Sequence, residues 1–202
     1  MERLQKEEML EAIARQIHLC RHCGLCDNRL NTVPGEGDPE SPVVFVGEAP
    51  GREEDEQGRP FVGSAGKLLD RLLEEAGLGR EKVYIANILK CRPPGNRRPK
   101  SEEMRACAQH LEAQLQVISP VIVAPMGNSA VGHMMKKYGL KRGRIGRVHG
   151  EVLPVEASWG RVCLFPLYHP AAVLYNRRLQ QELKKDLESL KGILESCSAP
   201  RR

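Results

Sequence analysis

No stretch of this chain approaches the roughly 20 consecutive apolar residues of a membrane-spanning helix. Residues 1–15 are charged and helix-like where a signal peptide would carry an apolar core. Both absences set the expectation of a cytoplasmic protein with no membrane partner. Internal repeats, low-complexity tracts and linkers are also missing, so residues 1–202 are expected to form a single domain, with an N-terminal helix over 1–19 and a frayed tail over 196–202. A monomer is the simplest expectation. Without a secretory signal, the seven cysteines read as metal ligands or reactive thiols rather than a disulfide framework. A P-loop is lacking too. Gly63-Ser64-Ala65-Gly66-Lys67 resembles the end of one, but Phe61 stands where its first Gly would be and Leu68 where it needs Ser or Thr, so nucleotide hydrolysis is not expected.

Charge is present in moderate excess, 31 Lys and Arg against 26 Asp and Glu for a net +5, and it is unevenly placed. Basic residues gather at Arg92, Arg97, Arg98 and Lys100, from Lys136 to Arg147, and at Arg177 and Arg178. That distribution suits a polyanion such as DNA or RNA. The acidic run Glu53-Glu54-Asp55-Glu56 would repel a phosphate backbone and is expected to face solvent or the wall of a site.

Segments rich in β-branched residues at 43–46, 83–88, 120–124 and 162–167 read as buried strands. Helical patterns alternate with them. Leu68, Leu69, Leu72, Leu73 and Ala76 form an apolar stripe ended by Gly77, and Ser101 as cap, with Glu102 and Glu103 in the first turn, opens a helix running to about Ile118. The order implies a three-layer α/β/α sandwich around a mostly parallel, about four-stranded sheet, with a hairpin over 148–164 feeding the last strand. Helices over 4–19 and 179–194 bracket it. In such sheets the working groups gather at the carboxyl ends of the strands. All four ends are decorated here: Gly47-Glu48-Ala49-Pro50-Gly51, the run from Asn87 to Asn96, Pro125-Met126-Gly127-Asn128, and Tyr168-His169-Pro170.

Cys20, Cys23, Cys91 and Cys107 could supply four thiolates, which suits tetrahedral zinc or an iron–sulfur cluster equally. Cys26 extends the first pair to C-x2-C-x2-C, yet no fourth Cys followed by Pro arrives to complete a ferredoxin run. Cys163 and Cys197 read as idle thiols. Only eight aromatics occur (3 Phe, 4 Tyr, 1 Trp), and Phe61, set between Gly58, Pro60 and Gly63, reads either as core or as a loop-borne stacking platform.

Five blocks stand in order: C-R-H-C at 20–23, G-E-A-P-G at 47–51, G-R-P-F-V-G at 58–63, N-I-L-K-C-R-P-P-G-N at 87–96 and H-P-A at 169–171. Over about residues 20–190 the chain thereby resembles the family 4 uracil-DNA glycosylases, the iron–sulfur branch of the uracil-DNA glycosylase superfamily. The resemblance implies a [4Fe-4S] cluster on Cys20, Cys23, Cys91 and Cys107, holding the N-terminal segment and the 91–107 loop beside a DNA-binding face. Leu25 and Arg29 fall at the family's offsets when Cys20 is the first ligand, which leaves Cys26 as an extra thiol.

The implied activity is excision of uracil from single- or double-stranded DNA. A uracil inside a duplex must be flipped into a pocket to be reached. Phe61 would stack on the base, and the Asn87 amide would accept from N3–H and donate to O4, a pattern that cytosine inverts. His169 would donate to O2 of the uracilate leaving group, Asn96 would position the attacking water, and Glu48 would join them on the water side. Ala49 and Gly51 would line the pocket. Ala49 stands where the better-known branch carries an Asp, which shifts weight onto leaving-group stabilisation. Glu54 matches a position that walls off the uracil C5 side, or is simply a solvated acidic loop. Val173 and Leu174 would wedge into the minor groove, or are ordinary helix core. A variant of the superfamily traps DNA covalently through a His on a basic insertion after the Asn96 region, which this chain lacks. A non-catalytic iron–sulfur nucleic-acid-binding module is the alternative, opposed by the joint presence of Asn87 and His169.

Overall fold

The computed structural model describes the backbone of residues 1–198 and the side chains of residues 1–196. Its elements are α1 (Arg3–Leu19), β1 (Glu36–Gly37), β2 (Val43–Gly47), α2 (Arg52–Gln57), α3 (Ser64–Glu75), β3 (Tyr84–Asn87) and α4 (Ser101–Ile118). They are followed by β4 (Ile122–Pro125), α5 (Gly127–Lys137), α6 (Ile145–Val148), β5 (Leu153–Ala157), β6 (Gly160–Leu164), α7 (Pro170–Val173) and α8 (Arg177–Ser198). Residues 199–202, the end of the tail expected to fray, lie outside the described residues, as does the side chain of Cys197. Among the described residues, no helix is long and apolar enough to cross a membrane.

The sheet has the order β1-β3-β2-β4-β6-β5. Its centre is the four expected strands, β3, β2, β4 and β6, all parallel. Two antiparallel edges extend it: β5 comes from the expected hairpin, and the short β1 pairs with β3. Alternation along the strands explains the layers. Val43 and Phe45 point to a core shared with Leu69 and Leu73 of α3 and Leu183 and Leu187 of α8. Val44 and Val46 point to the opposite core, shared with Leu111 and Leu115 of α4 and Val131 and Met134 of α5.

Two local features differ from expectation. Ser101 is the first residue of α4 rather than its cap, and the free N–H of Lys100 is taken by the Glu103 carboxylate at 2.7 Å. The hairpin begins later than residue 148, because residues 145–148 close a short helical turn before β5. Neither changes the placement of the strand ends, which open on one edge.

Candidate active site and metal centre

The ends of β2 and β3 and the start of α7 enclose a pocket of about 450 Å³, within the usual range for a small-ligand site. It gathers Glu48, Phe61, Asn87, Asn96 and His169, as well as Ala49, Gly51 and Glu54. Asn87 is the last residue of β3 and only 2% exposed. His169 precedes α7, and its Nδ1 accepts the Ala171 N–H at 3.1 Å. That bond fixes the neutral ring as the Nε2–H tautomer. Burial pushes the His169 pKa down to about 4, against a small opposing pull from Glu54, so the ring is neutral at pH 7.

Phe61 is 5% exposed and tilts against the His169 ring at a centroid distance of 5.7 Å. Its backbone has φ of +52°, a left-handed conformation costly for a bulky residue and found mainly where a site demands it. The neighbours hold it there. Arg80 donates to the Pro60 and Phe61 carbonyls at 2.5 and 3.1 Å, and a Cβ at Gly66 would lie 1.8 Å from the Phe61 oxygen.

Glu54 lines the pocket but is not a solvated carboxylate. Its Oε2 accepts from Gly51 N–H at 3.0 Å, and its Oε1 accepts from Val62 and Gly63 N–H at 3.1 and 3.0 Å. It therefore clasps the Phe61 loop to the start of α2. Asn96 is exposed, adopts φ of +55° and accepts from Arg92 Nε at 2.7 Å. The half-buried Glu48 carboxylate has no hydrogen-bond or ion-pair partner among the described residues.

Behind the pocket lies the cysteine centre. Cys20, Cys23, Cys26, Cys91 and Cys107 line one small cavity together with His22, Lys90 and His110. Arg29 Nη1 donates to Cys91 Sγ at 3.1 Å, and the Lys90 N–H to Cys107 Sγ at 3.3 Å. Burial raises both thiol pKa values, that of Cys107 to about 11. Thiols from the N-terminal segment, the loop after β3 and α4 converge on this one cavity, a donor set that fits a metal site. Cys20, His22 and His110 form the one trio of ligand atoms found within 4.8 Å of one another among the described residues. The cavity adjoins the pocket through the apolar cluster of Leu25, Leu89, Cys91 and Cys107, against which Ala49 packs.

Residues 34–191 match the family model described as the uracil DNA glycosylase superfamily. The chain is 46% identical over 184 residues to a type-4 uracil-DNA glycosylase of Archaeoglobus fulgidus, covering 91% of this chain and 92% of that one. It is 43% identical over 188 residues to that of Saccharolobus solfataricus (93% and 87%), and 41% identical over 191 residues to that of Thermotoga maritima (94% and 96%). The chain belongs to the type-4 family of this superfamily.

In this type-4 chain the packing favours the helix-core reading of residue 173 over the wedge. Val173 is 0% exposed and packs in the core with α3 and α8, so it cannot reach DNA without unpacking that core. Leu174 is partly buried against the same cluster. Tyr175, which the sequence did not single out, is 96% exposed beside Lys67, Arg71 and Arg177.

Lys90 was also missed, because a lysine in a motif looks like a surface charge. In this type-4 chain it is 1% exposed, and its ammonium donates to the Pro34 and Asn87 carbonyls at 2.9 Å each and to Gln114 Oε1 at 2.7 Å. It ties the end of β3 to α4. Burial lowers its pKa to about 8, which leaves it charged at neutral pH. Lys90→Met would strand two buried acceptors, the Asn87 carbonyl and Gln114 Oε1, and leave Pro34 O with only its bond from Gln114 Nε2, at a cost of about 3 kcal/mol or more. Thermal unfolding should show Tm lower by roughly 6–12 °C; an unchanged Tm would mean the three bonds contribute nothing.

Proposed function

We propose that this chain is a monofunctional uracil-DNA glycosylase, acting in the cytoplasm as a single-domain monomer, which hydrolyses the N-glycosidic bond of flipped-out deoxyuridine in single- or double-stranded DNA to begin base excision repair. The observation that carries this reading is the convergence of Asn87, Phe61 and a neutral His169, whose Nε2–H has no partner among the described residues, in one pocket of base-binding size. A mere DNA-binding module needs neither a base-edge reader nor an oxyanion donor. The adjoining basic groove supports a polyanionic substrate: it holds Arg98, Arg105, Lys136 and Arg142, and shares Arg98 and Pro99 with the pocket.

Uracil stacks on Phe61, and the Asn87 side chain meets N3–H and O4. Cytosine leaves that amide mispaired at about 1–3 kcal/mol per unmet group. As the C1′–N1 bond breaks, its electron pair moves into the base and collects near O2, where His169 Nε2–H stabilises it more in the transition state than in the ground state. Water held by Asn96 bonds to C1′ from the opposite face. The Glu48 carboxylate favours the cationic sugar and takes the water's proton. Leu174 and Tyr175 meet the DNA beside the flipped nucleotide, replacing Val173 in that role.

Cys20, Cys23, Cys91 and Cys107 hold a [4Fe-4S] cluster in this reading, which the convergence of these four thiols on one cavity supports. When bound, the group supplies structure: it fixes residues 20–29 and the loop after Asn87. Incubating the iron-loaded protein with a uracil-containing oligonucleotide should give alkali-labile abasic sites, with thymine and cytosine controls intact. No abasic product would overturn the activity. Brown protein containing about four irons per chain is expected, and colourless protein with stoichiometric zinc after anaerobic purification would overturn the cluster.

A further inference from the structure

The imidazole of His110 has no part in the chemistry above, yet its setting is unusual. It lies on α4 three residues beyond Cys107, so the two side chains share a helix face. The residue is 7% exposed, and its Nε2 is buried without a hydrogen-bond partner among the described residues. Native structures rarely leave a buried polar atom unpaired unless a bound group or a function explains it. Here the ring lines the cysteine cavity, and one of its nitrogens lies within 4.8 Å of Cys20 Sγ.

A second imidazole keeps it in place. His22, between Cys20 and Cys23, stacks on His110 with ring centroids 6.0 Å apart and planes 7° from parallel. Gln109 Nε2 contacts His22 Nδ1 at 2.7 Å and the Ala106 carbonyl at 2.9 Å, so Gln109 donates and His22 Nδ1 accepts. The stack is therefore oriented from outside, while the His110 ring lines the cavity.

We propose that His110 donates its Nε2–H to a sulfur at the Cys20 corner of the iron–sulfur cluster, as a positioning and tuning residue rather than a ligand. The inference rests on the cluster reading given above. Hydrogen bonds to cluster sulfurs favour the more negatively charged, reduced form and so raise the reduction potential. The same bond would pair the orphaned nitrogen and tie α4 to the N-terminal cysteine segment.

The test is pulsed EPR of the ¹⁵N-histidine-labelled, dithionite-reduced holoprotein, with redox titration of variants. A weak ¹⁵N coupling is expected in the wild type, lost in His110→Phe and retained in His22→Phe. The midpoint potential should fall in His110→Phe and recover in His110→Gln, whose amide restores a donor. A strong coupling typical of a ligated nitrogen would overturn the proposal, as would a wild-type spectrum with no histidine coupling. The labelled wild type alone decides this if a variant fails to load iron. Protein isolated without iron would instead overturn the cluster reading itself, and iron content separates the two failures.

Discussion

His169→Ala should lower kcat on a uracil-containing oligonucleotide by about 10²–10³-fold, the usual effect of removing one preorganised oxyanion donor. KM should change little, because the bond to O2 strengthens only as charge develops on the base. The side chain has a second role that must be separated from the first: its Nδ1 caps α7 by accepting the Ala171 N–H. Losing the cap costs about 1 kcal/mol, or roughly 2–4 °C in Tm for a chain of this size. Asn also caps well, so His169→Asn should keep Tm near the wild-type value while leaving kcat low. Recovery of kcat in His169→Asn would reduce the residue to a cap.

The same residue fixes a pH dependence. Burial holds its pKa at about 4, so kcat should show no acid limb near the ordinary histidine value of about 6.5. Loss through this group is expected only near pH 4, when a proton on Nδ1 displaces the Ala171 bond. Stability runs in the matching direction. Between about 6.5 and 4 the unfolded chain takes up a proton that the folded chain refuses, so stability falls as pH falls across that window. A kinetic limb near 6.5 that disappears in His169→Asn would contradict a neutral donor.

The alternation of apolar strands and helices carried enough information for the four central strands, because burial on both faces leaves a plain run such as Val43 to Val46. Edge strand β1 was illegible: two residues held by pairing with β3 leave no periodicity to read. The pocket residues were legible as motifs at strand ends. What their neighbours do was not, since it depends on tertiary approach. Glu54 looks like part of an acidic surface run until Gly51, Val62 and Gly63 are seen to converge on it. Val173 and Tyr175 differ by two positions on a short helix end, and only packing against α3 and α8 decides which is core. For His110, the i,i+3 spacing from Cys107 was a usable signal, because it puts both side chains on one face of α4.

Gly47→Ala should be nearly as damaging as loss of His169, although Gly47 carries no functional group. Gly47 ends β2 and pairs with Asn87 across the parallel ladder, and its carbonyl accepts the Ile88 N–H at 3.0 Å. A Cβ there would fall 2.1 Å from Asn87 Oδ1, 2.7 Å from Phe61 Cζ and 2.9 Å from Phe61 Cε2. One methyl thus collides with the proposed base reader and the stacking platform together. The backbone cannot back away, since the ladder holds it on the Asn87 side, while Arg80 and Gly66 hold the Phe61 backbone. The side chains must yield by an ångström or more, and a misplacement of about 1 Å can cost about 10²-fold in rate. We therefore expect kcat/KM to fall by about 10²-fold, with weaker inhibition by free uracil. Overpacking should also destabilise the fold by about 1–3 kcal/mol, visible as a Tm lower by several degrees. Gly192→Ala is the control: a Cβ there meets nothing within 4 Å among the described residues, and Ala in α8 should raise stability by about 0.5–1 kcal/mol without touching activity. Near-wild-type turnover in Gly47→Ala would show that Asn87 and Phe61 do not jointly hold the base.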